Sequence, residues 1–178
     1  AILAANNAAA PVSIRVNLLR SDRDTVLNRL TEDGFTVHPH PKAASMILAE
    51  SGDIASHPLF TEGVVTIQDT ASAVCVELLD PQPDTLVLDC CAAPGGKTFY
   101  IAERMHNQGT VISCDIYEHK LEKIQAGAQR LGLSIVQPTL QDAAQPRAEW
   151  VEKADSVLCD VPCSGMGIIR KKPEIRYK

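Results

Sequence analysis

The sequence has no uninterrupted apolar run long enough to cross a bilayer, which argues against a membrane-spanning helix. Residues 1–10 show no basic leader before an apolar core, so no signal peptide is predicted and we expect a cytoplasmic protein. None of the six cysteines forms a CxxC pair, and no histidine lies at zinc-finger spacing from them, so we expect no metal site. The net charge of −5 argues against a protein that coats nucleic acid nonspecifically.

The 178 residues divide into two regions of different pattern. Residues 1–62 predict a small α+β subdomain, in which Ile14 and Val16 alternate with Arg15 as in a half-buried strand. Residues 63–178 alternate strands with helices, which predicts an α/β domain built on a parallel sheet with right-handed crossovers.

A glycine-containing turn with the sequence DCCAAPGGKT occupies residues 89–98, between an apolar strand-like run and a helix. Its glycines let the backbone approach a ligand, and the helix N-terminus favours negative charge. Ligands of such sheets bind at the carboxyl ends of the strands. A turn of this kind can also be purely steric. Its spacing fits neither GxGxxG nor GxxxxGK[ST], which disfavours dinucleotide and P-loop sites and an oxidoreductase function.

Three further acids are predicted at the ends of strands. Asp115 can accept hydrogen bonds from both hydroxyls of a ribose; alone it could equally cap the next helix, but beside the glycine turn we favour ribose binding. Asp142 could accept a hydrogen bond from an adenine amino group or be an exposed loop residue. Asp160 opens the sequence DVPCSG, where it could read the polar edge of a base and Cys163 could reach the same pocket.

The motifs DCCAAPGGKT and DVPCSGMG resemble two motifs of the Sun (Fmu) family of RNA cytosine-5 methyltransferases. QDTAS at 68–72, the final IIRKKPEIRYK and the opening ANNAAAPVSIRVN also resemble this family. The resemblance spans nearly the whole chain, and within the family it points to bacterial enzymes that act on 16S ribosomal RNA. It implies a Rossmann-like class I methyltransferase sheet, without its later strands, at residues 63–178, preceded by a small α+β RNA-binding subdomain at residues 1–62.

The same resemblance implies S-adenosylmethionine as the cofactor and assigns roles to individual residues. Asp115 would hold the ribose hydroxyls and Asp142 would contact the adenine. Asp160 would lie near the methyl donor and the target cytosine, and Cys163 would be a thiol that helps to release the methylated product. The turn would surround the methionine and ribose parts of the cofactor through Cys91, Ala92, Ala93, Pro94, Gly95, Gly96 and Lys97.

One departure from the family pattern bears on activity. The nucleophile of the family is a second cysteine, in a Thr-Cys motif on a later strand, and it is expected beyond Lys178. We therefore expect these 178 residues by themselves not to catalyse repeated methyl transfer. The alternative is that Cys163 itself attacks the base, as a Pro-Cys thiol does in DNA cytosine-5 methyltransferases.

Positive charge is concentrated in residues 170–178, where five basic residues stand against one acid and leave −9 on the remainder. Arg170, Lys171 and Lys172 are therefore predicted to contact RNA, although a solvated tail would have the same composition. The expected partner is a single-stranded or loop cytosine of 16S ribosomal RNA, bound by a monomer away from any membrane. The alternatives are a transfer RNA cytosine-5 methyltransferase and a non-catalytic RNA-binding module; the retained acids count against the latter.

Overall fold

The computed structural model describes residues 11–50, 52–145 and 147–162, which form two four-stranded sheets with connecting helices. The first sheet is antiparallel and has the order β2–β3–β1–β4. Its strands are β1 (Val12–Val16), β2 (Val37–Pro39), β3 (Met46–Ala49) and β4 (Val65–Ile67). Its connections contain α1 (Arg23–Glu32), a 3-10 turn (Ile54–Ser56) and the short α2 (Pro58–Thr61).

The second sheet is parallel and has the order β7–β6–β5–β8. Its strands are β5 (Leu86–Asp89), β6 (Thr110–Asp115), β7 (Val136–Leu140) and β8 (Ser156–Leu158). The longer helices are α3 (Thr70–Leu79), α4 (Gly96–Arg104) and α5 (Glu118–Leu131), and a 3-10 turn (Ala148–Trp150) precedes β8. The predicted α/β class with a Rossmann-like parallel sheet is confirmed. None of the helices described is both long and apolar enough to cross a membrane.

Strand β4 belongs to the first sheet, because it pairs antiparallel with β1 and places Val65 opposite Val16. The predicted division between residues 62 and 63 thus falls just before a strand that completes the sheet of the smaller region. That residues 1–62 and 63–178 form separate domains stays a prediction.

The buried apolar residues form two clusters, each centred on one sheet. Ile14 and Val16 of β1 pack with Val26 and Leu30 of α1 in the first. The second core joins the parallel sheet to α4 and α5. The buried residues of α5 recur at helical spacing as Ile124, Ala128 and Leu131. Helix α5 ends at Gly132, which adopts the left-handed conformation that glycine tolerates best.

The other face of the first sheet packs against α4 and α5 and buries charge there. Arg15 is fully buried, contrary to its predicted place on the polar side of a half-buried strand. Its guanidinium forms an ion pair with Glu103 and lies 4.5 Å from the centre of the Tyr100 ring, both on α4. Arg130 of α5 donates to the carbonyl oxygen of Val65 at 3.1 Å. Strand β1 is therefore covered on both faces.

Candidate functional site

A cavity of about 820 Å³ opens at the carboxyl edge of the parallel sheet. One aspartate comes at or just after the end of each of its strands: Asp89 on β5, Asp115 on β6, Asp142 after β7 and Asp160 after β8. All four line the cavity, because parallel strands present their carboxyl ends to the same edge. The structure thus brings together the three acids singled out in the sequence and adds a fourth.

The glycine turn forms one wall of this cavity. The backbone hydrogen bonds that hold it include one from the Ala92 amide to the Cys114 carbonyl at 2.8 Å and one from the Gly95 amide to the Ala92 carbonyl at 2.7 Å. Gly95 has a φ of +108°, and a β-carbon there would lie 2.3 Å from the Phe99 ring, so both the backbone and the packing require glycine. Gly95 is not among the residues that line the cavity, whereas the other predicted turn residues line it: Cys91, Ala92, Ala93, Pro94, Gly96 and Lys97.

Asp115 is the last residue of β6 and contacts the residue before α5. Its Oδ1 accepts a hydrogen bond from the Tyr117 amide at 3.1 Å, which ties the acid to the residue before α5. The same oxygen lies 3.3 Å from Nζ of Lys120, whose ammonium lies 4.5 Å from the centre of the Tyr117 ring. All three residues also line the cavity, so ribose binding stays a prediction that this local contact does not exclude.

Asp142 organises the loop after β7. Its Oδ1 accepts from the Ala144 amide at 2.9 Å, and its Oδ2 accepts from Nε2 of Gln145 at 3.3 Å. The residue is only partly exposed and lines the cavity, so it is not simply a loop acid in solvent.

Asp160 forms an ion pair with Lys97 of α4, which connects the end of β8 to the glycine turn. The Asp160 side chain is 56% exposed and that of Lys97 is 19% exposed, so this pair lies at the open side of the cavity. Cys163 and the basic residues Arg170, Lys171 and Lys172 lie outside the described residues.

Asp89 was not assigned a role in the sequence, although it closes its strand as Asp115 does. Thr98 donates to its Oδ2 at 2.7 Å, while its buried Oδ1 has no partner among the residues described. Burial raises the pKa of Asp89 to about 6, and the positive charge of Lys97 opposes that rise. The signal that could have identified Asp89 was its position at the end of a buried strand, directly before the turn.

Gln68, which immediately follows β4, was also missed. It is 6% exposed, lines the cavity and accepts a hydrogen bond from Nε of Arg15 at 2.5 Å. Its Nε2 is buried and has no partner among the described residues. The only sequence signal was its place at the start of the QDTAS segment.

Three thiols near the cavity are unsuited to nucleophilic attack. Burial raises the pKa of Cys90 and of Cys114 to about 11, and it also raises the pKa of Cys91. Because the thiolate is the reactive form, these protonated groups are poor nucleophiles at neutral pH.

The parallel sheet, the glycine turn after β5 and the acidic cavity define an α/β domain of Rossmann-like class I methyltransferase type. A family model described as 16S rRNA methyltransferase RsmB/F matches residues 76–178. A second, described as a Methyltr_RsmF/B-like ferredoxin-like domain, matches residues 1–55. The chain belongs to the RsmB/F family of 16S rRNA methyltransferases, which confirms the resemblance noted in the sequence.

Individual relatives agree with this assignment. The ribosomal RNA small subunit methyltransferase B of Vibrio cholerae is 39% identical over 179 residues, covering 99% of this chain and 41% of that protein. A methyltransferase homolog protein from Pyrococcus horikoshii has a crystal structure with a TM-score of 0.81 and 32% identity, covering 99% of this chain and 58% of that one. The chain spans about two fifths of the length of the curated relatives it matches.

A third structure agrees at the level of the fold. NSun6 from Pyrococcus horikoshii, in a crystal structure with SFG, has a TM-score of 0.82 at 18% identity, covering 93% of this chain and 66% of that one. Membership of this methyltransferase family confirms S-adenosylmethionine as the cofactor of the domain.

Proposed function

We propose that the full-length protein methylates C5 of a cytosine in 16S ribosomal RNA. The proposal is carried by the convergence of Asp115, Asp142 and Asp160 with the glycine turn on one cavity. Relatives named as small subunit ribosomal RNA methyltransferases support the class of substrate. Cytosine and its C5 position are supported by the DVPCSG motif, whose thiol suits covalent catalysis on a pyrimidine.

The cavity fits the cofactor in size and charge. About 820 Å³ is within the usual range for small-molecule sites. S-adenosylmethionine supplies a methyl group on a cationic sulfonium and also carries an ammonium, so an acidic lining attracts both charges. The lining contains five aspartates and two lysines: Asp69, Asp89, Asp115, Asp142, Asp160, Lys97 and Lys120.

The proposed division of work follows the order of the strands. Asp115 and Asp142, at neighbouring strands, hold the ribose hydroxyls and the adenine. The backbone at residues 91–97 wraps the methionine and ribose portion, with room created by the glycines. Asp160, at the exposed side, is suited to meet a base that enters from solvent, because its carboxylate can bind the polar edge of cytosine.

The proposed chemistry begins with the low nucleophilicity of cytosine C5. A cysteine thiolate would add to C6, which makes C5 enamine-like. C5 would then form a bond to the methyl carbon as the bond from that carbon to the sulfonium sulfur breaks, and S-adenosylhomocysteine would leave. A base then removes the C5 proton, the double bond re-forms and the thiolate leaves. We assign the attack to the family's second cysteine, expected after Lys178, and assistance in release to Cys163.

The test uses the full-length protein and S-adenosylmethionine carrying a labelled methyl group. We expect label in 16S ribosomal RNA, located at cytosine C5 by nuclease digestion and mass spectrometry. Asp115→Ala should lose activity, while Asp24→Ala, an equivalent change at a side chain 85% exposed, should keep it. Label confined to transfer RNA would favour the transfer RNA alternative. Cofactor binding without transfer to either RNA would favour the non-catalytic module.

The role of Cys163 is separable from that of the attacking thiol. Cys163→Ala in the full-length protein should trap a covalent protein–RNA adduct, visible as a slowly migrating band on a denaturing gel, because attack proceeds and release does not. Absence of any adduct in this variant would instead make Cys163 the nucleophile.

A further inference from the structure

We infer that Gln68 binds the carboxylate of the amino-acid end of S-adenosylmethionine, and that Arg15 of the first sheet positions it. The inference rests on the proposed cofactor site and adds to it a residue outside the parallel sheet. It would make the antiparallel sheet part of the cofactor site, in addition to any role in RNA contact.

The first step is the orientation of the Gln68 amide. An arginine side chain can only donate hydrogen bonds, so the group that faces Nε of Arg15 at 2.5 Å has to be the amide oxygen. The amide nitrogen is thereby turned away from Arg15. It is buried and has no partner among the described residues, although Gln68 lines the cavity.

The second step is the rigidity of this arrangement. Arg15 is fully buried and is fixed from the other side by its ion pair with Glu103 and by the Tyr100 ring. The Gln68 backbone is held by a hydrogen bond from its amide to the Ser13 carbonyl at 3.1 Å. Because an unpaired buried N–H₂ group is costly, one that is held rigidly in a residue that lines a cavity points to an acceptor supplied by a ligand.

The third step identifies the acceptor. Nε2 of Gln68 is the atom nearest to a β-carbon built on Gly96, at 3.6 Å, so the amide lies against the first residue of α4. The N-terminus of a helix favours an anion. The ammonium and sulfonium of the cofactor are cationic, and its adenosine is assigned to the more distant strands β6 and β7. The carboxylate is the one part of the cofactor that is both anionic and an acceptor.

The test compares two ligands on the full-length protein by isothermal titration calorimetry. S-adenosylhomocysteine has the amino-acid end, and 5′-methylthioadenosine has the same adenosine and thioether without it. Gln68→Ala should weaken S-adenosylhomocysteine binding by about 10- to 100-fold, the range for a hydrogen bond to a charged group, and leave 5′-methylthioadenosine binding within about twofold.

Three variants separate this contact from a structural role. Gln68→Glu keeps an acceptor for Arg15 but replaces the donor with an oxygen, so it should lose at least as much S-adenosylhomocysteine affinity as the alanine variant. Arg15→Met should also weaken S-adenosylhomocysteine binding relative to 5′-methylthioadenosine binding, because the Gln68 amide is then no longer held in place. Gln125→Ala, at an exposed position of α5, is the matched control and should leave the ratio unchanged.

The experiment distinguishes failure of the Gln68 assignment from failure of the proposed function. If Gln68 variants weaken both ligands equally, or neither, while the unmodified protein binds S-adenosylhomocysteine, the carboxylate assignment is wrong and the cofactor site stands. If the unmodified protein binds neither ligand, the proposed function is overturned together with the inference.

Discussion

The two sheets treat ionisable side chains in opposite ways. At the first sheet, Arg15 is removed from water and paired with protein groups, Glu103 and Gln68. At the parallel sheet, acids such as Asp142 and Asp160 follow the strand ends and line an open cavity. The difference indicates that the buried charges around Arg15 hold the first sheet against α4 and α5. The acids at the edge of the parallel sheet are instead available to a ligand. Substitutions should therefore affect stability in the first case and affinity in the second.

The largest loss of stability is expected for Glu103→Ala. Burial raises the pKa of Glu103 to about 7, with Arg15 opposing the rise, so at pH 8 the carboxylate is mostly ionised and paired. Its removal leaves the guanidinium buried without a counter-charge, which should cost about 3–5 kcal/mol of unfolding free energy. Urea denaturation at pH 8 measures this.

The double variant Arg15→Met, Glu103→Leu is the control for this prediction. It removes both charges and fills a similar volume, so it should recover most of the stability. A loss below about 1 kcal/mol for the single variant would contradict a structural role for the pair.

Gly63→Ala should disrupt the packing of the first sheet against α5, because the added methyl group meets the backbone of that helix. Gly63 has a φ of +74°, and a β-carbon there would lie 2.2 Å from the Arg130 carbonyl oxygen of α5. Gly34 is a matched control, since its φ is +86° but nothing lies within 4 Å of its β-carbon position. We expect losses of about 3–4 kcal/mol for Gly63→Ala and about 1 kcal/mol for Gly34→Ala in the same denaturation assay. Equal losses would mean that only backbone conformation matters at residue 63.

The parallel sheet and its ligand edge could be predicted because their signals are local. The glycine turn, Asp115 and Asp142 each follow a strand-like run, and parallel strands place such residues together without further information. The Arg15 cluster gave no such signal. Alternation in β1 predicted one polar face, but α4 covers that face as well, and its partner Glu103 is distant in sequence. Burial produced by packing between layers is not encoded in the spacing of a single strand.

Asp89 tests whether an acid of the parallel sheet can affect stability as the buried charges around Arg15 do. Its pKa is raised to about 6 by burial, from 3.8, so the folded state keeps a proton that the unfolded state releases. Stability from this group is complete below pH 3.8 and is lost as pH rises through 6. Asp89→Asn keeps an acceptor for Thr98 and should remove that loss, with an advantage of at most about 3 kcal/mol at pH 7.5 and near zero at pH 4.

Thermal or urea unfolding of both proteins across this pH range provides the measurement. An advantage for Asp89→Asn that does not change with pH would show that packing, and not ionisation, distinguishes the two side chains.

The smallest effect is expected for Lys120→Ala, at the opposite extreme from Glu103. Nζ of Lys120 lies 3.3 Å from Asp115, but its side chain is 37% exposed, so solvent screens the ion pair. Lys123→Ala changes an exposed lysine of the same helix and matches the gain in helix propensity. The difference in unfolding free energy between these two variants should be less than about 1 kcal/mol and should shrink further in 1 M salt. A difference as large as that of Glu103→Ala would remove the contrast between the two sheets, because it would show that charges at the cavity edge also hold the fold together.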